Sequence, residues 1–119
     1  MLYIAFTIRI NGVAQKLIPG SVIKVFGSFY TGLSLPSSDL DLCWVVPWSE
    51  DIEPPVTNPG ALKAWRLELL KDLAEEMLAQ QQCTYIDLRD SARVPIVNLR
   101  DRFSSPAVEA DVSIYFEGL

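Results

Sequence analysis

Between Gly27 and Leu42 the chain reads Gly-Ser-Phe-Tyr-Thr-Gly-Leu-Ser-Leu-Pro-Ser-Ser-Asp-Leu-Asp-Leu, and no other run constrains the fold as tightly. Successive side chains on a strand point to opposite faces, so Asp39 and Asp41 share a face if this run ends in a strand. Two carboxylates held side by side repel unless a cation lies between them, and hard divalent ions such as Mg²⁺ take oxygen ligands. The Gly27-Ser28 pair suits a phosphate: glycine lets backbone N–H groups come close, and the hydroxyl adds a donor. Metal and phosphate sites within one short segment point to nucleotide chemistry.

The rest of the composition narrows the class. At 119 residues there is room for a single domain, and with 50% hydrophobic residues it has the material for a core. A net charge of −5 is a poor footprint for an independent nucleic-acid-binding domain, so backbone contacts to any such partner must come from elsewhere. With no histidine, Ser-His-Asp and Cys-His catalysis and His-ligated zinc are excluded within the chain. Cys43 and Cys83 are too far apart for a zinc motif. Cys43, in an apolar run, reads as a buried reduced thiol of an intracellular protein. No apolar run approaches the roughly 18 residues that span a bilayer. The apolar start is interrupted by Arg9 and lacks a cleavage pattern, so it does not read as a signal peptide.

Along the chain, Leu2, Phe6, Ile10, Val13 and Leu17 follow a helical spacing, although β-branched and aromatic residues there also suit a strand. The helix reading is preferred because Pro19-Gly20 supplies its stop signal. Ser21 to Phe26 alternates as a short strand leading into Gly27, followed by one helical turn whose N-terminus a phosphate could use. Leu40 to Val46 is an apolar central strand stopped by Pro47, and Trp48 to Pro59 is an acidic, proline-containing loop. Asn58 and Pro59 then open the clearest helix, with Leu62, Trp65, Leu69, Leu70, Leu73, Met77 and Leu78 as its apolar stripe, ending near Gln80 to Gln82. That stripe reads as core packing. Strands are expected at Thr84 to Leu88 and Val94 to Leu99, around a polar turn from Arg89 to Arg93. A last strand, Val108 to Phe116, puts Ala110, Val112, Ile114 and Phe116 on one face and Glu109, Asp111, Ser113 and Tyr115 on the other. This order predicts an α+β domain, a mixed five-stranded sheet with helices packed on one face.

Asp111 stands mid-strand among apolar residues, where an unpaired carboxylate is costly to bury. Either its strand is an edge and Asp111 is solvated, or it joins Asp39 and Asp41; the earlier pair favours a shared site. Three carboxylates suffice for two Mg²⁺ ions, one beside an attacking 3′-hydroxyl and one on a triphosphate, because Mg²⁺ also keeps waters and borrows phosphate oxygens. Phe29 and Tyr30 could stack on a base, but packing onto the sheet explains them more simply. Arg89, Arg93, Arg100 and Arg102 could touch phosphates, although a solvated turn is the simpler reading.

Val25-Phe26-Gly27-Ser28, the run from Gly32 through Leu42, Val94-Pro95-Ile96-Val97 and Glu109-Ala110-Asp111-Val112-Ser113 together resemble the catalytic palm of the polymerase-β-like nucleotidyltransferases. Within that superfamily the chain is most similar to the Trf-type RNA terminal nucleotidyltransferases, the poly(A) and poly(U) polymerases. The resemblance runs from about Arg9 to the end and is weak through the Trp48 to Pro59 loop. It implies that Asp39, Asp41 and Asp111 are the catalytic, metal-binding triad, holding two Mg²⁺ or Mn²⁺ ions. Gly27 and Ser28 would contact the incoming nucleoside triphosphate, and Ser38 would either support the first aspartate or cap the turn. The implied activity is transfer of nucleotides, AMP from ATP foremost, with UTP the alternative donor, to an RNA 3′ end with release of pyrophosphate.

The resemblance also implies that a helical central domain, which provides most base recognition in the family, is absent from residues 1–119; the palm alone is expected to be weak or inactive. Protein cofactors supplying RNA binding, no membrane partner, and an intracellular setting, nuclear rather than cytoplasmic, complete the expectation. Two other readings compete: a stand-alone minimal nucleotidyltransferase that modifies a protein, favoured by the short length, and an inactive scaffolding palm, disfavoured by the three intact aspartates.

Overall fold

The spacing of apolar residues near the N-terminus does produce a helix. In the computed structural model, which describes residues 2–26, 40–47, 59–89, 94–103 and 108–117, helix α1 covers Leu2–Leu17. It buries Phe6, Ile10, Val13 and Ala14 along one side. Its end is built from the residues that follow. Gly20 takes a φ of +89°, a conformation open to glycine. The buried Ser21 hydroxyl lies within donating distance of the carbonyls of Ile18 at 2.6 Å and Ala14 at 3.2 Å, adding to the backbone N–H bonds that Ser21 and Ile18 give the same two acceptors.

Strand β1 (Val22–Phe26) follows, then β2 (Leu40–Pro47), helix α2 (Pro59–Ala79), and strands β3 (Cys83–Arg89), β4 (Ile96–Asp101) and β5 (Glu109–Glu117). Pro47 is the last residue of β2 rather than the first beyond it, and β4 begins after Val94-Pro95, whose valine is exposed. Helix α2 ends without glycine. Gln81 adopts a φ of 57°, while Gln82 N–H donates to Met77 O at 2.8 Å and Gln81 N–H to Leu78 O at 2.9 Å. This is the paired closure that satisfies the last carbonyls of a helix.

The strands form one five-stranded sheet in the order β1-β2-β5-β4-β3. Only the central pair, β2 and β5, is parallel; the other neighbours are antiparallel. The expected mixed sheet is therefore present, with the last strand inserted between β2 and β4. Both helices cover one face. Phe6, Ile10, Leu70, Leu73 and Met77 meet Leu40, Leu42, Trp44, Val97, Leu99, Val112 and Ile114 in a continuous core. Trp65 packs on Phe116 with ring centroids 4.8 Å apart. The α2 stripe is core packing as expected except at Leu78, which is 45% exposed although the adjacent Met77 is fully buried. Arg9 joins the helical layer to the far strands: its guanidinium lies over Phe6 and Phe103 and bonds Asp101 Oδ1 at 2.7 Å. No helix among the described residues is long and apolar enough to cross a membrane.

Candidate active site

The sheet face opposite the helices carries the polar side chains. Along β5 the residues alternate: Ala110, Val112, Ile114 and Phe116 are buried beneath the helices, while Glu109, Asp111, Ser113, Tyr115 and Glu117 occupy the other face. Along β2 the same alternation turns Leu40, Leu42, Trp44 and Val46 toward the helices and leaves Asp41 exposed on the opposite side. Parallel pairing of these two strands sets Asp41 directly beside Asp111. Paired positions on neighbouring strands lie about 4.8 Å apart and project from the same face. Two of the three expected carboxylates are thus brought together, although they come from opposite halves of the chain. Asp39, Gly27, Ser28 and Ser38 lie outside the described residues, as do the residues after Gly27 where a helical turn was expected, the Trp48 to Asn58 segment and Arg93. Among the described residues no group of three metal-ligating side chains occurs.

The register continues across the sheet as a single row: Asp41, Asp111, Asn98, Asp87. Asn98 is 2% exposed, and its Nδ2 donates to Asp111 Oδ1 at 2.9 Å. Arg89 Nη1 lies 4.0 Å from the same oxygen, while its Nε donates to Asp87 Oδ2 at 3.3 Å. Arg89 is therefore the end of a strand on this face rather than part of a solvated turn. Arg100 and Arg102 stand apart, the first paired with Glu109 at 3.6 Å and the second with Gln81 at 3.3 Å. One step along the strands, Cys43 pairs with Ser113. Burial pushes the Cys43 thiol up from its ordinary value, outweighing the opposing Ser113 hydrogen bond and the charges of Lys24 and Arg66. Cys43 is a free, buried thiol, as its sequence context suggested.

Hard oxygen donors side by side on one face match what Mg²⁺ or Mn²⁺ takes. The described part of the site fits such an ion with Asp41 and Asp111 as ligands.

The comparisons with known proteins agree with this geometry. Residues 2–116 match the family described as poly(A) RNA polymerase, mitochondrial-like, central palm domain. The chain belongs to this palm family. The palm is 34% identical over 98 residues to the inactive non-canonical poly(A) RNA polymerase protein Trf4-2 of Drosophila melanogaster, covering 81% of this chain and 20% of that one. It superposes on the polymerase core of TRAMP, an RNA surveillance complex, with a TM-score of 0.66, 24% identity and 94% of this chain against 30% of the other. The Cid1 poly(U) polymerase, in a structure with MgGTP bound, gives a TM-score of 0.64 at 21% identity, with 96% and 31% covered. The palm therefore spans about a fifth of the curated relative and under a third of these solved chains. Its fold is that of the polymerase-β-like nucleotidyltransferases, in the Trf-type group.

One residue of this site, Asn98, escaped the sequence reading; Arg89 was named there among four arginines that could touch phosphates, but with a solvated turn preferred. Asn98 could have been flagged: an amide within the apolar run Ile96-Val97-Asn98-Leu99 is unfavourable in a strand and needs a partner when buried. Nothing local distinguished Arg89 from its neighbours in a charged segment.

Proposed function

We propose that this palm is the catalytic part of an RNA terminal nucleotidyltransferase that transfers AMP from ATP to an RNA 3′ end. The reading rests foremost on Asp41 and Asp111 standing in register on the sheet face opposite the helices. In the reaction the RNA 3′-oxygen attacks the α-phosphorus, a new O–P bond forms, the bond to the β-phosphate oxygen breaks, and pyrophosphate leaves. Magnesium, when bound, would supply the positive charge that offsets the charge building on the phosphates. Asp41 and Asp111 would hold it together with Asp39, which would share the face of Asp41 on an extended chain. Gly27 and Ser28 would offer backbone and hydroxyl donors to the triphosphate, with Ser38 beside Asp39. ATP is proposed over UTP because the palm family is that of poly(A) RNA polymerases; the likeness to a poly(U) polymerase keeps UTP as the competing donor.

A second reading, a palm that has lost activity, is favoured by one observation: the 34% identical relative is named inactive. Retention of both described carboxylates supports the active reading. The experiment is to incubate the polypeptide carrying this palm with a labelled RNA oligonucleotide, Mg²⁺ and ATP or UTP. Extension by ATP that disappears in Asp111→Ala is the expected result. Extension by UTP alone would overturn the donor assignment, and no extension with either nucleotide would favour the inactive palm.

A further inference from the structure

The structure assigns Asn98 as the residue that positions Asp111 for a divalent cation, an inference that rests on the carboxylate reading above. Asn98 sits in β4 between Val97 and Leu99, both fully buried, and is itself only 2% exposed. An amide in such a place is costly unless its hydrogen bonds are made. Its register partner on one side is Asp111 and on the other Asp87, so it bridges two acidic positions at the centre of the polar row. The bond from Asn98 Nδ2 to Asp111 Oδ1, at 2.9 Å, has ordinary strong geometry. No hydrogen bond to the other oxygen, Oδ2, occurs among the described residues.

What the amide prevents is as important as what it holds. Arg89 Nη1 lies 4.0 Å from Asp111 Oδ1, at the outer limit of an ion pair. A freed Asp111 could rotate to close that gap, and a direct guanidinium pair would compete with any cation for the carboxylate. Asn98, held rigidly by its burial, fixes the carboxylate short of that collapse. The assignment concerns orientation: Asn98 acts through Asp111 and does not itself touch the cation.

The test is Mn²⁺ binding, read by the electron paramagnetic resonance signal of the free ion as it is titrated with purified protein, alongside the melting temperature. Asp111→Asn should abolish the Mn²⁺ binding expected of the wild type. Asn98→Leu, similar in size but without a donor, should weaken Mn²⁺ binding roughly 10- to 100-fold, the usual effect of removing a group that orients a metal ligand. Adding Arg89→Met to Asn98→Leu should restore most of the lost affinity, a coupling that a purely structural role of Asn98 would not produce. Should Asn98→Leu fail to fold, Asn98→Ser, whose hydroxyl is too short to span the contact, should show the same loss and rescue. Wild-type affinity in the Asn98 variants, with Asp111→Asn still defective, would overturn the positioning role alone. Undiminished binding in Asp111→Asn, or no binding by the wild type at millimolar Mn²⁺, would overturn the metal reading beneath it.

Discussion

The two sides of strand β5 divide the molecule's work. On one side Ala110, Val112, Ile114 and Phe116 are sealed beneath α1 and α2, each at most 4% exposed. On the other, Asp111 and Ser113 face partners made of carboxylate, amide, guanidinium and thiol. Neighbouring residues in sequence thus belong to different environments because a strand reverses the direction of its side chains at every residue. Burial of the apolar side supplies the free energy that holds the sheet together. The same rigidity then keeps like-charged groups close on the polar side, where alone they would drift apart. Each half of that division can be attacked separately.

The largest effect is expected from the polar side. Asp41→Ala or Asp111→Ala in the active polypeptide should lower nucleotide transfer at least about a thousandfold, corresponding to loss of roughly 4 kcal/mol of transition-state stabilisation. Its melting temperature should stay the same or rise for Asp41→Ala, because a like-charge contact is removed, and should fall modestly for Asp111→Ala, which leaves the buried Asn98 amide without its acceptor. Initial-rate tailing assays beside thermal melts check both halves, and a large drop in melting temperature would break the comparison.

The opposite outcome is expected beneath the helices. Leu73 is fully buried in α2, and Leu73→Ala should destabilise the fold by about 2–5 kcal/mol through lost burial and the cavity left behind. Urea denaturation measures the loss, and Mn²⁺ affinity well below the unfolding midpoint should not change.

A pH experiment samples both sides, since Cys43 lies on the polar face and Cys83 within the helix-covered core. Burial raises both thiols above their ordinary 9.0, and the charge of Asp101 pushes Cys83 in the same direction. The folded protein therefore keeps protons that the unfolded chain releases. Their contribution is full below pH 9 and is lost as pH rises through the raised values, with a slope of at most about 1.4 kcal/mol per pH unit for each thiol. Urea melts from neutral to alkaline pH should show the decline, and the Cys43→Ala/Cys83→Ala pair should flatten it.

The smallest effect belongs to Tyr115, which shares the polar side but is 56% exposed. Tyr115→Thr should change stability by less than about 0.5 kcal/mol. A larger loss in denaturant melts would mean that the polar side carries packing energy as well.

Much of this division is legible in the chain itself. The alternation in Glu109 to Glu117 gives both faces of β5 without any coordinates, and the stripe through Leu70, Leu73 and Met77 gives the buried side of α2. The stop at Pro19-Gly20 and the end of α2 near Gln81 are also readable, because helix termination is a matter of a few adjacent residues. Arg89 was misread as part of a turn, since a charged residue at a strand end looks locally like one in a loop. Leu78 fits the helical period yet escapes burial beside a fully buried Met77, because which edge of an apolar stripe is covered depends on what packs against it. Asp39, Gly27 and Ser28 belong to the portion of the site where the sequence pattern alone speaks.

What the amino-acid order determined by itself was a set of elements with faces: two amphipathic helices, alternating strands, and acidic positions on the polar sides of two of them. It did not determine which strands would be neighbours. That β5 enters between β2 and β4, pairs in parallel with β2 so that Asp41 meets Asp111, and pairs antiparallel with β4 so that Asn98 meets Asp111, was decided only in the assembled sheet. Local preferences act over a few residues, whereas strand order is chosen by the packing of whole faces and the burial that follows from it. The carboxylates were written in the sequence, and their meeting was a property of the fold.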